Sequence, residues 1–421
     1  MTTLQTKWAT SPLARLSSDT ATLLAARVIA QGLTLLFTLA VARTLGDQGF
    51  GQFAFISAVV AIANVVTTFG QDTILIRDVA AGHPAGAPNG LFSAALLIQL
   101  GLSALFIAAL LVIGPRLGNQ TAETQTALLV AALSLIPLAY STVLSAILRG
   151  RGRMGAFALF SCATAAILGL GALVLWRRGG DLLDAAFILL TAQIGGAIVA
   201  FVLYRRVSVW PGRWPRPARR QLSRAWRTGS VLAGLMILAV LYQRLDVLLL
   251  SLLAGDAATG YYAAAARILE ALKILPGAFF GALLPILVAG ERPDIRHAYR
   301  RSFAALLGLS VVLAALTAAL ARPLIAWLFG PDFMPAVAPL RIISWSLPLT
   351  IVTFKLSFDL VARGQERFAG LSMLLTLLVA APATYLLIAH WSLLGAAVAL
   401  PFCEAAQILI LAAVTAVQRR A

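Results

Sequence analysis

Residues Leu241 to Lys273, LYQRLDVLLLSLLAGDAATGYYAAAARILEALK, decide the fold of this chain. The stretch consists of two apolar runs around a short turn at residues 254–258, and it is too long and too apolar for a soluble helical hairpin. Outside the turn, the two apolar runs carry five charged residues: Arg244, Asp246, Arg267, Glu270 and Lys273. A charge at the centre of a bilayer costs roughly 2.5–3.5 kcal/mol on insertion scales. We therefore expect two membrane spans whose charged side chains face an internal polar surface instead of lipid.

The composition of the whole chain agrees with this expectation. Its 421 residues are 60% hydrophobic and 12% charged, whereas a soluble domain carries about 25% charged residues. The apolar residues form runs of roughly 20, the length that crosses a bilayer. The predicted spans are 20–42, 52–75, 91–113, 125–148, 155–175, 184–203, 228–252, 258–289, 302–321, 336–361, 368–389 and 393–417. The sequence thus predicts an all-α polytopic membrane protein with about twelve transmembrane helices.

The distribution of basic residues predicts the orientation. Of the 33 Lys and Arg residues, 22 fall on the side that holds both termini, five on the other side and six inside predicted spans. Loops rich in Lys and Arg stay on the cytoplasmic side of a membrane. We therefore expect a multi-pass protein of the cell membrane with both termini in the cytoplasm.

The two halves of the chain carry the same short patterns in the same order. The matched positions are Gly46-Asp47 with Gly255-Asp256, Pro137 with Pro348, and Arg149-Gly150 with Arg363-Gly364, at offsets of 209, 211 and 214. Six spans per repeat is an even number, so both copies have the same orientation in the membrane. This predicts two parallel six-helix repeats related by a pseudo-two-fold axis along the membrane normal, with a central cationic cavity between them.

The repeat and the longest loop define the predicted domains. They are a cytoplasmic segment 1–19, an N-terminal six-helix bundle 20–203, a basic linker 204–227 and a C-terminal six-helix bundle 228–421. The linker has eight arginines and tryptophans at 210, 214 and 226. Such a segment suits anionic lipid headgroups, whereas it is short and contains no nucleic-acid-binding module. We expect membrane lipids, and not nucleic acid, as its partner.

Polar residues follow one face of each of the first two spans. Arg27, Gln31, Thr34 and Thr38 are spaced at helical intervals, as are Asn64, Thr67, Thr68, Gln71 and Asp72. Two polar faces on adjacent helices predict a water-filled cavity. Hydrogen bonding between helices is an equal alternative for the threonines, and snorkelling towards the headgroups is the alternative for Arg27.

The second half carries more charges inside its spans. Arg267, Glu270 and Lys273 are three residues apart, so Glu270 is within reach of either neighbour, and Lys355 can pair with Asp359 at i, i+4. Arg244 and Asp246 point in different directions, so one can face the cavity while the other pairs across helices. Arg341 adds a cation, and Glu404 has no cation near it in its own span. The alternative to a ligand-binding role is that these charged residues neutralise one another in a structural network.

Neither a catalytic centre nor a cofactor site is predicted. His83, His297 and His390 have no metal-ligand spacing, and the phosphate-binding pattern GxxxxGK[ST] does not occur. We therefore expect a protein that is not an enzyme and uses no cofactor or metal.

Several short motifs resemble those of a known family. They are Ala42-Arg43-Thr44-Leu45-Gly46 with Gly49-Phe50-Gly51, Asp246 with Gly260-Tyr261-Tyr262-Ala263-Ala264-Ala265, Leu328-Phe329-Gly330-Pro331-Asp332-Phe333, and Arg363-Gly364. In their order and spacing the chain resembles oligosaccharide (O-antigen) flippases of the polysaccharide transporter family. That family belongs to the superfamily that also contains multidrug and toxin extruders and the lipid II flippase. The resemblance covers nearly the whole chain, although the two extra C-terminal helices of the lipid II flippase are not predicted.

The resemblance implies a function in polysaccharide biosynthesis. Such flippases move an oligosaccharide linked to a polyprenyl diphosphate from the cytoplasmic to the outer leaflet by alternating access. It also implies neighbours in the pathway, a polymerase and glycosyltransferases, and we expect a monomer. A multidrug/cation antiporter of the same superfamily is the second candidate, although Arg27 stands where such extruders usually place a carboxylate. A scaffold protein is the third, disfavoured by the number of charges within the spans.

Three sets of candidate residues follow. The predicted diphosphate-binding residues are Arg27, Lys273, Arg244, Arg267, Arg341 and Lys355, of which Arg27 is the closest match by position to the intramembrane arginine of such flippases. The predicted coupling or charge-network residues are Asp72, Asp246, Glu270, Asp359 and Glu404. The predicted polar lining of the cavity is Gln31, Thr34 and Asn64.

Overall fold

A computed structural model of the protein describes residues 12–81, 90–114, 121–207, 216–273, 293–362 and 364–420, and these residues are almost entirely helical. The α-helices are α1 Pro12–Thr68, α2 Gln71–Ala80, α3 Gly90–Ile113, α4 Ala122–Leu133, α5 Leu135–Gly150, α6 Met154–Arg178, α7 Leu182–Val207, α8 Arg219–Ala254, α9 Asp256–Leu272, α10 Pro293–Ala319, α11 Ala321–Leu328, α12 Val337–Ile343, α13 Ser346–Ala362 and α14 Glu366–Arg420. A 3₁₀ helix, Pro331–Ala336, joins α11 to α12.

The helices account for about twelve membrane crossings. Eight helical stretches in the described part of the chain are long and apolar enough to cross a membrane. Two of them, Ala25–Thr68 and Arg367–Ala416, have 44 and 50 residues, which is enough for two crossings each. The bent pair Pro331–Ile343 and Ser346–Val361 adds one more, and α9 packs beside α1 and α8 as a further helix of the bundle. The prediction of an all-α polytopic membrane protein is confirmed.

Tight hairpins divide the longest helices. Gly46 interrupts α1 with φ 70°, and Gly255 separates α8 from α9 with φ 84°; glycine adopts this left-handed region without a steric penalty. The chain reverses at Gly46, because the Phe37 and Phe53 rings on either side of it lie 5.8 Å apart. We call the end of the bundle that holds the turns at Gly46 and Gly255 the hairpin end.

Matched helix breaks support the two parallel repeats. Helix α4 ends at Leu133 and α12 ends at Ile343, in each case just before a new helix. Pro137 and Pro348 are each the third residue of that following helix. Proline is tolerated in a first helical turn, where its missing N–H has no partner, but it disrupts a helix interior. The paired prolines therefore place the same break in both repeats.

The largest buried cluster lies between the halves. It contains Phe50 from the first half together with Tyr262, Phe329 and Phe333 from the second, each at most 3% exposed. Elsewhere many large apolar side chains are exposed, for example Trp327 and Leu409 at 75% and 71%. An apolar exterior of this extent is the surface that a bilayer covers.

The predicted linker is partly helical. Helix α8 begins at Arg219 and runs 36 residues, about 54 Å at 1.5 Å per residue, so it extends well beyond one bilayer crossing. The indole of Trp226 stacks on the Phe69 ring with centroids 4.6 Å apart, which ties this extension to the first half. Of the residues named from the sequence, His83, Trp210, Trp214 and Arg363 lie outside the described ranges. The domain boundaries remain a prediction.

Candidate functional site

Glu270 holds two arginines within the spans of the second half. The Nη1 atom of Arg244, on α8, lies 3.1 Å from Oε1 of Glu270, and the Nη1 atom of Arg267 lies 2.8 Å from Oε2. Each oxygen of the Glu270 carboxylate thus has its own cation. The predicted i, i+3 pair of Arg267 and Glu270 is present, and Arg244 adds a contact between helices that the spacing did not specify.

Asp246 is also bonded to α9. Its Oδ2 accepts a hydrogen bond from the Tyr262 hydroxyl, and its Oδ1 accepts one from the Val247 backbone N–H at 2.8 Å. The spacing allowed one of Arg244 and Asp246 to face a cavity while the other paired across helices. In the structure both contact α9, Asp246 through Tyr262 and Arg244 through Glu270, and the Arg244 side chain remains 27% exposed.

Lys273 pairs with Glu404, not with the Glu270 of its own helix. The amine nitrogen of Lys273 lies 3.7 Å from Oε1 of Glu404, which is on α14 after the break in that helix at Ser392. Thr350 and Thr353 of α13 donate hydrogen bonds to the same carboxylate, at 2.8 and 3.0 Å. The side chain of Glu404 is only 6% exposed, and that of Lys273 is 26% exposed. The cation that Glu404 lacks in its own span therefore comes from α9.

Lys355 and Asp359 form the predicted i, i+4 pair on α13, with Nζ and Oδ2 2.7 Å apart. The amine also lies 5.5 Å from the Phe303 ring centroid. The Tyr299 hydroxyl, just before the α10 crossing, donates to Oδ1 of Asp359 at 3.2 Å. Burial, followed by the charge and hydrogen bond of Asp359, raises the pKa of Tyr299, so this hydroxyl stays protonated as a donor. Contacts with α10 thus satisfy Lys355 and Asp359.

Asp72 belongs to a separate pair. Its Oδ2 lies 3.4 Å from Nη2 of Arg149, at the end of α5, and the guanidinium of Arg149 lies 5.0 Å from the Phe157 ring centroid. These residues lie at the end of the bundle opposite the hairpin end. The structure therefore does not bring Asp72 together with Glu270 or Glu404.

Two of the predicted cations have no carboxylate partner among the described residues. Arg27 and Arg341 are exposed, and neither forms an ion pair within the part of the chain that the structure covers. Gln31, one turn after Arg27, is exposed as well. The hydroxyl of Thr34 donates to the Ala30 carbonyl of its own helix at 2.8 Å, and Oδ1 of Asn64 accepts from Thr68 at 3.1 Å.

Distances along the helices from the hairpin end give the depths of three candidate cations in the membrane. Arg267 is 11 residues beyond Asp256, the first residue of α9, and Lys273 is 17 residues beyond it, or about 17 and 26 Å along the axis at 1.5 Å per residue. Arg27 is 19 residues before Gly46, or about 28 Å by the same measure. Arg27 and Lys273 thus share one level, far from the hairpin end, and Arg267 lies near mid-membrane.

At the hairpin end the two halves are in direct contact. Oδ2 of Asp47 accepts the Tyr261 hydroxyl hydrogen bond, and the Gln52 amide donates to Oδ2 of Asp256 at 2.9 Å. The two bonds are equivalent under the repeat offset of 209, since Asp47 corresponds to Asp256 and Gln52 to Tyr261. A pseudo-two-fold axis therefore passes between them, and this end is closed.

Arg43 adds a third contact at the hairpin end. Its guanidinium donates to the carbonyls of Trp327 and Leu328, the last of which ends α11 in the other half. A cation at the C-terminus of a helix satisfies free carbonyls and complements the helix dipole. Phe50 packs nearby on Phe333, with ring centroids 5.8 Å apart.

Sequence reasoning did not identify this contact as functional. Arg43, Asp47, Asp256 and Tyr261 stand in motifs that indicated the repeat or the resemblance, and Gln52 directly follows one, but the candidate lists did not include them. The signal that could have found them is the symmetry itself, because near a pseudo-two-fold axis a contact between the repeats recurs between the matched residues.

No group of three or more His, Cys, Asp or Glu side chains within the described ranges could hold a metal ion. The groups that the structure brings together are ion pairs and hydrogen bonds, which suit recognition of a charged molecule.

The comparisons with known proteins are as follows. A family model described as "Polysaccharide biosynthesis protein" matches residues 16–291, and a comparison by sequence with curated proteins gives no match. The lipid II flippase MurJ is similar in structure, with a TM-score of 0.71 and 14% identity over 92% of this chain and 85% of that one. A multidrug resistance MATE family transporter of the MOP superfamily has a TM-score of 0.70 and 15% identity, covering 92% and 96%. A MOP superfamily transporter from Pyrococcus furiosus has a TM-score of 0.65 and 17% identity, covering 94% of each chain.

Proposed function

Because this chain belongs to the polysaccharide biosynthesis protein family and has the fold of MOP superfamily transporters, we propose that it is a flippase for a polyprenyl-diphosphate-linked oligosaccharide. It moves this lipid from the cytoplasmic to the outer leaflet of the cell membrane, and it is a transporter, not an enzyme. The substrate has a sugar and a diphosphate that avoid the hydrocarbon and a lipid tail that prefers it, so a flippase must offer the headgroup a polar route.

The observation that carries the proposal is the group of partly exposed cations inside the spans. Arg244, Arg267 and Lys273 have side chains 27%, 24% and 26% exposed, so each can reach a ligand without unfolding its surroundings. Arginine pairs with phosphate through two parallel hydrogen bonds and lysine through a compact charge. Cations at depths from mid-membrane to the level of Arg27 provide successive positions for a diphosphate.

The balance of charges favours an anionic substrate over a cationic drug. Each of the five candidate carboxylates already has a partner. Asp72 pairs with Arg149, and Asp246 accepts a hydrogen bond from Tyr262. Lysine or arginine side chains pair with the other three, Glu270, Asp359 and Glu404. The two candidates without an ion pair in the described structure, Arg27 and Arg341, are both positive. A multidrug/cation antiporter, the second candidate, needs the opposite arrangement, with carboxylates ready for a cation.

The closed hairpin end supports alternating access between the two halves. With both termini in the cytoplasm, as the basic loops predict, the hairpin end faces the outer leaflet. Contacts of Asp47, Gln52, Asp256 and Tyr261 then close the route outwards, and the cations near the opposite end meet a substrate that comes from the cytoplasm. Flipping would require these contacts to break and the opposite side to close.

The proposed function also implies the moving domains, the partners and the oligomeric state. We take residues 20–203 and 228–421 as the two moving bundles and 204–227 as the basic connection that lies on anionic lipids. The partners are the lipid-linked glycan, membrane lipids, and the glycosyltransferases and polymerase that make and use that glycan. The protein works as a monomer, because one chain supplies both halves of the site.

Reconstitution tests the proposed function. Purified protein in vesicles is given a polyprenyl-diphosphate-linked glycan with a fluorescent label, and a membrane-impermeant quencher reports how fast label crosses the bilayer. Parallel vesicles are tested for uptake of organic cations. We expect flipping of the lipid-linked glycan and background uptake of the cations. Cation uptake without glycan flipping would reject the flippase in favour of the antiporter.

A further inference from the structure

We propose that Glu404 is an internal counter-ion that holds Lys273 in the empty carrier and gives it up to the substrate. This inference rests on the proposed function, because the competitor for Lys273 is the diphosphate of the lipid-linked substrate. It assigns Glu404 as a positioning residue, which sets where the Lys273 amine lies and how strongly that amine is available to an anion.

The ion pair of Lys273 and Glu404 is longer than the other ion pairs nearby, so a ligand can replace Glu404 as the partner of the amine. Lys273 and Glu404 are 3.7 Å apart, whereas Arg267 and Lys355 lie 2.8 and 2.7 Å from their carboxylates. The carboxylate is the buried partner and the amine is the partly exposed one. The amine can therefore turn towards a ligand while Glu404 stays in place.

Two threonine hydroxyl groups donate hydrogen bonds to Glu404, so its carboxylate keeps partners when the Lys273 amine leaves. A buried carboxylate without a partner is costly, but Thr350 and Thr353 each donate a hydrogen bond to one oxygen of Glu404. The Thr350 hydroxyl also lies 2.9 Å from the Ser346 carbonyl, so its single hydrogen can turn fully to Glu404 when the amine leaves. Hydrogen bonds to a carboxylate stabilise its charged form.

Glu270 does not have this property. Its two oxygens are bonded to Arg244 and Arg267, and loss of either guanidinium would leave one oxygen without that donor. Arg244 and Arg267 are therefore held more firmly than Lys273. Of the paired cations at α9, Lys273 is therefore the one that can leave its carboxylate for the diphosphate of a ligand.

The exchange also addresses the return of the empty carrier. Without an internal partner, Lys273 would return to the cytoplasmic side as an uncompensated positive charge within the membrane, which is costly. A Lys273 that pairs with Glu404 after release returns as a neutral pair. The internal carboxylate thus takes the place of a counter-ion from solution.

Binding of a diphosphate probe tests the inference. Geranylgeranyl diphosphate is titrated into the purified full-length protein in detergent, and the dissociation constant is measured for the wild type, Glu404→Gln, Lys273→Ala and the double variant. We expect Glu404→Gln to bind about fivefold more tightly, the upper end of the range for removal of a competing ion pair, and Lys273→Ala to bind more weakly. The double variant should match Lys273→Ala, because Glu404 acts only through that amine.

Two further variants separate positioning from folding. Thr353→Val removes a donor to Glu404, so the carboxylate should depend more on Lys273 and the probe should bind more weakly, the opposite sign to Glu404→Gln. Glu123→Gln, the same chemical change at an exposed position in the first turn of α4, should leave binding unchanged. In vesicles, Glu404→Gln should lower both KM and kcat, because a substrate held more tightly leaves more slowly.

The possible outcomes are distinct. If the wild type does not bind the probe, the proposed function fails and the inference fails with it. If Lys273→Ala weakens binding but Glu404→Gln binds like the wild type, the flippase site stands and the counter-ion role is rejected. A Glu404→Gln protein that binds as weakly as Lys273→Ala also rejects it, since Glu404 would then only support the local fold.

Discussion

Gly51 and Gly260 lie back to back where the two halves meet at the hairpin end. A Cβ atom on Gly51 would be 1.8 Å from the Asp256 carbonyl oxygen, and one on Gly260 would be 2.0 Å from the Asp47 carbonyl oxygen. The two distances are a symmetric pair under the offset of 209. The two repeats found in the sequence thus make matching contacts with each other, and the pseudo-two-fold axis passes between Gly51 and Gly260.

The first prediction concerns this close approach. Gly51→Ala should destabilise closure by roughly 1–3 kcal/mol, the usual cost of overpacking, and lower the ratio of closed to open protein by a factor of about 5–150. A cysteine placed at Ala336, which is fully buried in the cluster between the halves, should then react faster with a membrane-impermeant maleimide. Gly101→Ala is the control, because a Cβ there would meet nothing within 4 Å. Equal labelling of both variants would contradict the prediction.

The second prediction tests movement at the same end. The variant Gln52→Cys/Asp256→Cys, with Cys162 and Cys403 changed to Ala, should be joined by oxidation, since these two positions are in contact. Cross-linked protein should not flip lipid-linked glycan, because the hairpin end cannot open, and a reducing agent should restore flipping. Each single-cysteine variant serves as the control. Full activity in the cross-linked protein would show that this end stays closed throughout transport.

The third prediction concerns Arg27. Arg27→Ala should abolish polysaccharide export while the protein remains in the membrane, and Arg27→Lys should rescue export only in part, because lysine lacks the two-pronged geometry of the guanidinium towards phosphate. Arg178→Ala, at the end of α6, is the matched control and should export normally. Export and membrane content are measured in cells that lack the native copy. Unimpaired export in Arg27→Ala would remove this residue from the site.

The fourth prediction concerns stability. Glu270→Ala leaves Arg244 and Arg267 without their shared partner, and loss of hydrogen bonds to a charged group should cost about 1–3 kcal/mol. The midpoint of thermal unfolding in detergent should fall, and less for Glu270→Gln, which retains an acceptor oxygen. Glu123→Ala, at an exposed site, should leave the midpoint unchanged. A midpoint unaffected by Glu270→Ala would mean that the network contributes nothing to the fold.

The fifth prediction concerns the driving force. A diphosphate carries about two negative charges, and outward movement of each is favoured by roughly 2.3 kcal/mol per 100 mV of inside-negative potential. Flipping in vesicles should therefore accelerate with an imposed potential of this sign and slow when the potential is reversed. Potentials are set with potassium gradients and valinomycin. Equal rates with the potential imposed, reversed or collapsed would show that movement of charge does not power transport.

Residues close together in sequence made part of the site predictable. Lys355 with Asp359 and Arg267 with Glu270 are pairs that the helical period brings together, and both are present. The spans, the parallel repeat and the breaks near Pro137 and Pro348 were predictable for a related reason. Hydrophobic length and local backbone preference act within one helix or one turn.

Partners on different helices were not predictable in this way. Lys273 could reach Glu270 by spacing alone, yet it pairs with Glu404, which is 131 positions away in the chain. Arg43 stands in a motif of the family resemblance, yet its guanidinium caps α11 of the other half. Neither partner is specified by periodicity.

By itself the sequence determined that this protein is a bundle of about twelve membrane helices in two like-oriented repeats with cations in their spans. Only the tertiary structure decided which carboxylate neutralises which cation, which cations have no ion pair among the described residues, and which end of the bundle is closed. The physical reason is that helical period and hydrophobic length describe one helix at a time. Charge pairing and closure depend on how helices approach each other, which small residues such as Gly51 and Gly260 permit and the packing of the whole bundle decides.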